Sequence, residues 1–164
     1  MSGVFGEVWL VLQQEFSFSS VSELTQSGTR LLIALLLGAL VGYDREVKDR
    51  AAGLRTHMLV ALGAALFVVA GLQSGMDSAD ASRVLQGIVA GVGFLGAGAI
   101  IKLNEKEQVK GLTTAASIWA TAAIGITAGM GQIATAALST LLVIVVLALL
   151  PRLESRSGKI QPPG

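Results

Sequence analysis

Long uncharged stretches separate the ionisable residues of this chain and predict where it crosses a membrane. A charge at mid-bilayer costs at least about 2.5 kcal/mol, and a spanning helix needs roughly 17 to 25 apolar residues. Charge-free stretches lie at 31–43, 56–76, 84–101 and 111–151. The last is long enough for two helices and contains a turn-prone break, Gly129-Met130-Gly131-Gln132. The pattern therefore predicts five spans, at about 25–43, 56–76, 84–101, 111–128 and 133–150.

The first of these stretches is unusually short, with 13 residues between Arg30 and Asp44. We extend this span back to residue 25, and its shortness predicts that Asp44 sits at or just inside the headgroup level. Ahead of it, apolar residues recur at helical spacing within residues 4–16, which predicts a helix in the membrane interface; a frayed tail is the alternative. No Lys or Arg precedes that apolar run, so we expect no cleaved signal peptide.

Composition supports a membrane protein of one domain. The chain is 52% hydrophobic and only 14% charged, against roughly 25% charged residues in a soluble domain. We predict an all-α fold, a polytopic helical bundle, with an extracytoplasmic or interfacial segment at 1–28, a membrane domain at 29–150 and a short cytoplasmic tail at 151–164. The chain has no cysteine, which excludes disulfides, thiolate metal sites and a cysteine nucleophile.

The basic residues are distributed unevenly between the predicted loops. Ten of the 12 Lys and Arg residues follow spans one, three and five, and only Arg30 and Arg83 fall on the other side. By the positive-inside rule, this predicts an N-terminus outside and a C-terminus in the cytoplasm of a bacterial inner membrane. The net charge of +1 gives no reason to expect a nucleic-acid partner.

Two segments of the chain resemble each other. Gly53–Gly71 and Gly111–Gly129 align without a gap and share 7 of 19 residues. Each segment begins with Gly-Leu-x-Thr and opens a span that runs outward. The alignment predicts two helical hairpins of parallel orientation plus a fifth helix. The competing explanation is coincidence in a sequence rich in alanine and glycine.

Small residues recur within the spans at a spacing that lets helix backbones approach closely. Three Gly-x-x-x-Gly pairs carry this signal, namely Gly38 with Gly42, Gly87 with Gly91, and Gly125 with Gly129. They predict tight packing within the chain or between copies, and we expect a homo-oligomer, most simply a dimer. The run Gly91-Val92-Gly93-Phe94-Leu95-Gly96, followed by Gly98, matches a dinucleotide-binding pattern. It lies inside a predicted span rather than between a strand and a helix, so we interpret it as a packing helix.

The richest polar cluster surrounds the bend between spans one and two. It contains Asp44, Arg45, Glu46, Gly53, Arg55, Thr56 and His57. A charge run of this kind is often only a solvated loop. Arg55, however, begins a helix whose positive dipole end repels cations, so we expect it to need a carboxylate or phosphate partner, with Asp44 and Glu46 as candidates. The same two carboxylates are the possible ligands of a Mg²⁺ ion.

The fourth span carries a hydroxyl stripe that includes Thr113 and Thr114, beside Trp119. Hydroxyls in membrane helices usually bond the backbone or a neighbouring helix, and a functional pathway is the less common use. No Asp, Glu, Lys or Arg lies deep within a span, which argues against an ion-coupled pump. No nucleophile stands beside a base, so we expect no enzyme and no resident cofactor.

Four motifs, in order, strongly resemble the membrane domain of the MgtC/SapB family. They are RLLIALLLGALVGYDRE from Arg30, GLRTHMLVALGAALF from Gly53, GVGFLGAGAII from Gly91 and VKGLTTAASIWATAAIG from Val109. Members of that family are bacterial inner-membrane proteins, many linked to survival in low magnesium or inside hosts. Some are thought to restrain the membrane sector of the ATP synthase. The sequence stops soon after the fifth predicted span, so the resemblance implies a short member without the C-terminal cytoplasmic domain.

Two functional hypotheses follow. The first is a non-enzymatic intramembrane regulator, active in magnesium limitation, stress or virulence, that docks its glycine-lined faces on a membrane partner such as the ATP synthase sector. The second is a small carrier or channel for Mg²⁺ or another cation, with Asp44 and Glu46 at its cytoplasmic mouth.

Overall fold

The computed structural model describes residues 2–15, 20–103 and 108–157. Within these residues the chain forms six helices and a two-stranded antiparallel sheet. The helices are α1 (Ser2–Glu15), α2 (Val21–Val47), α3 (Leu54–Gln73), α4 (Ser78–Gly98), α5 (Leu112–Gly129) and α6 (Ile133–Ser157). The strands β1 (Ile101–Leu103) and β2 (Gln108–Lys110) connect α4 to α5.

The predicted helical membrane bundle is confirmed, although the count of spans differs. Four of the described helices, α2 to α5, are long and apolar enough to cross a bilayer. The fifth predicted span, about 133–150, falls within α6 and stays a prediction. The β-hairpin between α4 and α5 was not predicted, because its strands are only three residues long.

Local hydrogen bonds explain where several helices begin and end. The side chains of Ser20 and Asp77 accept hydrogen bonds from backbone N–H groups in the first turns of α2 and α4. These N–H groups have no carbonyl acceptor within their own helix. Helix α2 ends at Val47 and is followed by Asp49, a left-handed residue whose neighbour Arg50 donates its N–H to the carbonyl of Arg45. Gly131 ends α5 in the same way, with a φ of 81°, inside the break that the sequence predicts.

Helix α3 is the centre of the bundle because two glycine pairs bring neighbouring backbones against it. A Cβ atom on Gly38 of α2 would lie 2.7 Å from the His57 carbonyl oxygen. On the other side, a Cβ atom on Gly125 of α5 would lie 2.3 Å from the Ala61 carbonyl oxygen, and one on Gly129 would lie 2.8 Å from the Ala65 carbonyl oxygen. Only glycine permits both approaches, so α2, α3 and α5 form a tightly packed core.

The surface of the bundle is more apolar than its interior, as expected for a protein dissolved in lipid. The buried residues are mostly alanine and small polar residues, whereas Leu32, Leu36 and Leu40 form an exposed row along α2. Because lipid is as apolar as leucine, large side chains gain nothing by leaving it, and close packing of small residues holds the helices together.

Helix α4 packs less closely than the other spans. Only 11% of the most apolar stretch of α4 is buried in the bundle, whereas 50% of the corresponding stretch of α5 is buried. Val92 and Gly96 are its buried residues, and Gly96 faces Ala115 of α5. Gly87, Gly91, Gly93 and Gly98 have open space where a side chain would point. The third glycine pair is therefore not used inside the protomer.

The two halves of the proposed repeat do not begin identically. Gly53 and Gly111 are the N-cap residues of α3 and α5, and neither has a side chain that could cap its helix. Gly53 has an extended conformation with a φ of −105°, whereas Gly111 is left-handed with a φ of 95°. The internal repeat stays a prediction.

Candidate functional site

A charged cluster lies at the end of α2 where the chain turns into α3. Asp44 pairs with Arg45 beside it and with the ammonium of Lys48 one turn later, at 2.6 Å. The side chains of Asp44 and Arg45 are 16% and 3% exposed. A guanidinium this deeply buried needs a paired carboxylate, so Asp44 neutralises a charge that could not otherwise remain there.

The same two cations also bond α6, at the carbonyl of Leu147. Lys48 Nζ donates to the carbonyl oxygen of Leu147 at 2.9 Å, and Arg45 Nη2 lies 3.3 Å from the same oxygen. In an α-helix this carbonyl would accept from the N–H of residue 151, but residue 151 is proline and has none. Arg45 and Lys48 supply the donors that Pro151 removes, and so attach α6 to α2.

Glu46 has a separate role at the start of α3. Its Oε2 accepts the backbone N–H of Leu54 at 2.9 Å, which caps the first turn of α3 in place of a serine or aspartate. A Cβ atom on Gly53 would lie only 1.7 Å from that oxygen, so the cap requires glycine at this position.

His57 connects α3 to α5 and has no exposed surface. Its Nδ1 lies 2.9 Å from the carbonyl oxygen of Gly53, and its Nε2 lies 3.0 Å from Oγ of Ser117. Because a carbonyl can only accept, Nδ1 donates to the Gly53 carbonyl, and the single proton of the Ser117 hydroxyl is shared between Nε2 and the Thr114 carbonyl. The Ser117 hydroxyl also lies 2.8 Å from the carbonyl oxygen of Thr114. Both ring nitrogens are thus satisfied inside the bundle.

Replacing Ser117 with alanine should destabilise the bundle by about 1–2 kcal/mol, because Nε2 of the buried His57 would lose its partner. The free energy of unfolding in mixed micelles measures this change. Thr127→Ala is the matched control, since the Thr127 hydroxyl bonds only the Ala123 carbonyl of its own helix and should matter little. Equal losses in the two variants would show that the histidine contact contributes nothing specific.

The structure brings together some of the residues predicted for the site and separates others. Asp44 and Arg45 form one group, and His57 and Thr114 belong to the hydrogen-bonded network of α3 and α5. Thr113 and Trp119 are exposed on α5, and Thr56 is partly buried on α3. They do not share one pocket with the charged cluster.

The predicted pairing of Arg55 with Asp44 or Glu46 is wrong. Asp44 is engaged by Arg45 and Lys48, and Glu46 reaches the Leu54 amide instead. Arg55 is exposed and forms no ion pair with any carboxylate in the described part of the chain. A phosphate partner, the other possibility that the sequence offers for Arg55, stays a prediction.

The sequence alone missed Lys48 and the Leu147 carbonyl as members of the charged cluster. The available signal was Pro151, because a proline after a long apolar stretch frees a carbonyl four residues earlier. Which donors would reach that carbonyl depends on how α2 and α6 pack, and their contact residues are about 100 positions apart in the chain.

The arrangement favours a structural role for the carboxylates over a cation site. Asp44 and Glu46 bond different partners, and among the described residues no three His, Asp or Glu side chains are placed to hold a metal ion. The cluster can join α2, α3, α5 and α6 at one end of the bundle through paired charges, and it presents no unpaired carboxylate at a mouth.

These observations define a small helical membrane protein whose buried polar groups are paired with one another and whose fourth helix is largely unpacked. The chain belongs to the MgtC family, whose sequence profile matches residues 31–156. No solved structure matches it.

Three relatives show the extent of the likeness. Protein MgtC of Brucella abortus (strain 2308) is 48% identical over 138 residues, which cover 79% of this chain and 56% of that protein. Protein MgtC of Salmonella typhimurium (strain 14028s / SGSC 2262) is 42% identical over 130 residues, or 79% of this chain and 54% of that protein. Protein SrpB of Synechococcus elongatus is 44% identical over 136 residues, or 76% of this chain and 75% of that protein. The chain therefore spans little more than half the length of these two MgtC proteins.

Proposed function

We propose that this chain is a non-enzymatic regulator of the bacterial inner membrane that docks α4 onto a transmembrane helix of a partner protein. The docking face consists of Ala90, Gly93, Phe94 and Ala97, all of which are exposed on α4. Magnesium limitation or a related stress is the condition in which it acts. The membrane sector of the ATP synthase is the partner that the family resemblance suggests.

The low burial of α4 is the observation that carries this proposal. Three of the four residues of the docking face are small, so a partner backbone can approach α4 closely. Phe94, beside them, is 82% exposed. An aromatic ring next to a shallow surface offers a large contact area to a partner helix. The other two glycine pairs already pack against α3, so α4 is the span that remains available for a partner.

The paired charges support regulation by contact. Asp44, Arg45 and Lys48 bond one another and the Leu147 carbonyl, which leaves them engaged in holding the bundle. In this proposal the charged end faces the cytoplasm, as the positive-inside rule predicts. A homodimer through the same α4 face is the competing arrangement for this surface.

Co-purification and growth together test the proposal. A deletion strain is complemented with the tagged full chain, grown at limiting Mg²⁺, and its membranes are solubilised in mild detergent. We expect growth to be restored and one membrane protein to co-purify in fixed proportion. Gly93→Leu should abolish both, because the leucine side chain would separate the two helices by several ångströms.

Gly28→Leu is the matched control, since Gly28 also has open space around it but lies at the start of α2. This variant should bind and grow like the unmodified chain. If the chain is repeatedly recovered alone, or if Gly93→Leu retains both the partner and growth, the proposal is wrong.

A further inference from the structure

An apolar groove lies between the middle parts of α3 and α4. Its volume is about 590 Å³, and its lining consists only of apolar side chains and glycines from these two helices. On α3 the lining residues Leu59, Gly63 and Phe67 recur every four positions and so share one face. This groove lies on the side of α4 that faces α3, apart from the docking face.

Glycines keep the groove open. No atom lies within 4 Å of the position that a Cβ atom would take at Gly63, Gly87 or Gly91. Leu59 and Phe67 at the ends of the lining are 67% and 65% exposed. An open apolar groove on the lipid-facing surface of a membrane protein is filled by hydrocarbon, because water is excluded from that depth.

Arg55 stands at one end of this groove. It lies four residues before Leu59 and therefore continues the same face of α3, in the first turn of the helix. Its guanidinium is exposed, and the nearby carboxylates of Asp44 and Glu46 bond other groups. The positive end of the α3 dipole adds to its charge, so this position favours an anion.

The dimensions distinguish a lipid chain from a protein helix as the occupant. Arg55 and Phe67 are twelve residues apart, or about 18 Å along a helix, and half the hydrocarbon core of a bilayer is about 15 Å. A helix of that length and about 10 Å in diameter would occupy roughly 1,400 Å³, more than twice the volume of the groove.

We propose that the groove between α3 and α4 binds an acyl chain of an anionic phospholipid whose phosphate is held by Arg55. The guanidinium donates paired hydrogen bonds to the phosphate oxygens, and the chain lies along Leu59, Gly63 and Phe67. Basic positions beside clefts between membrane helices are known to select acidic headgroups. The site does not depend on the docking of a partner protein.

Native mass spectrometry of the delipidated full chain tests the site, with phosphatidylglycerol and phosphatidylcholine of identical acyl chains as probes. We expect one phosphatidylglycerol to bind at least about tenfold more tightly than phosphatidylcholine, because both carry the phosphate but the choline cation of phosphatidylcholine competes with Arg55 for it. Arg55→Gln should reduce the affinity for phosphatidylglycerol to that for phosphatidylcholine. Gly91→Leu should weaken the binding of both lipids, because its side chain would fill the groove.

Arg50→Gln is the matched control, because Arg50 is an exposed arginine of the same loop that does not belong to the groove face. It should leave the preference for phosphatidylglycerol unchanged. Equal affinity of the unmodified chain for the two lipids would overturn the proposal. So would an equal loss in Arg50→Gln, normal binding in Gly91→Leu, or a second copy of the chain that occupies the groove in place of lipid.

Discussion

Asp44→Ala should destabilise the bundle by about 3–5 kcal/mol, because removing one partner of a buried ion pair leaves the other charge uncompensated. The substitution leaves the guanidinium of Arg45 buried without its carboxylate, and its remaining acceptor among the described residues is the Leu147 carbonyl. Lys48 loses the same partner. The free energy of unfolding, measured by titrating the purified chain with a denaturing detergent, should show the loss.

Asp80→Ala is the control for this prediction. Asp80 pairs with Arg83 at 2.7 Å, but both side chains are more than half exposed, so the pair contributes less than about 1 kcal/mol. A small and similar effect in both variants would show that water reaches Arg45 and that the charged cluster does not hold the helices together.

Gly125→Ala should cost about 3 kcal/mol, the upper end of the range for overpacking a core. The added methyl group would lie 2.3 Å from the Ala61 carbonyl oxygen, and the obstructing atoms belong to the backbone of α3. Backbone atoms cannot rotate away as a flexible side chain can, so α3 and α5 must separate. The same unfolding titration measures the change.

Gly63→Ala is the matched control because Gly63 lies mid-helix on α3 with open space around it. There the methyl group should be neutral or slightly stabilising, since alanine favours helix by up to about 1 kcal/mol over glycine. If Gly125→Ala is equally well tolerated, the close contact between α3 and α5 is absent from the native bundle.

The spacing of charges predicts most of the fold, because lipid penalises every ionisable residue placed at its centre. The break before Gln132 is visible from its glycines. The hairpin between α4 and α5 was missed, since two strands of three residues carry no hydrophobic period.

The packing partners of the glycine pairs could not be predicted from the sequence. All three Gly-x-x-x-Gly motifs look alike along the chain, yet two pack against α3 and the third faces open space. The motif indicates only that one face of a helix lacks bulky side chains. Which helix lies against it is decided by the packing of the whole bundle.

The charged cluster was predicted in part. Asp44 was predicted as a member of the cluster because it adjoins a short uncharged stretch, and His57 because it lies near the start of a predicted helix. Their partners were not predictable, because Ser117 and Leu147 are brought in by α5 and α6 from 60 or more positions away. The expected pairing of Arg55 with Asp44 does not form, because Arg45 and Lys48 already pair with that carboxylate.

Photo-crosslinking in living cells tests the use of α4 most directly. A photoreactive phenylalanine analogue replaces Phe94 on the docking face of α4 or, as a control, Leu36 on the exposed row of α2. We predict that position 94 forms a crosslink to one other membrane protein during growth at limiting Mg²⁺ and that position 36 forms none. No protein crosslink at position 94, a crosslink only to a second copy of this chain, or equal crosslinks at both positions would contradict regulation through α4.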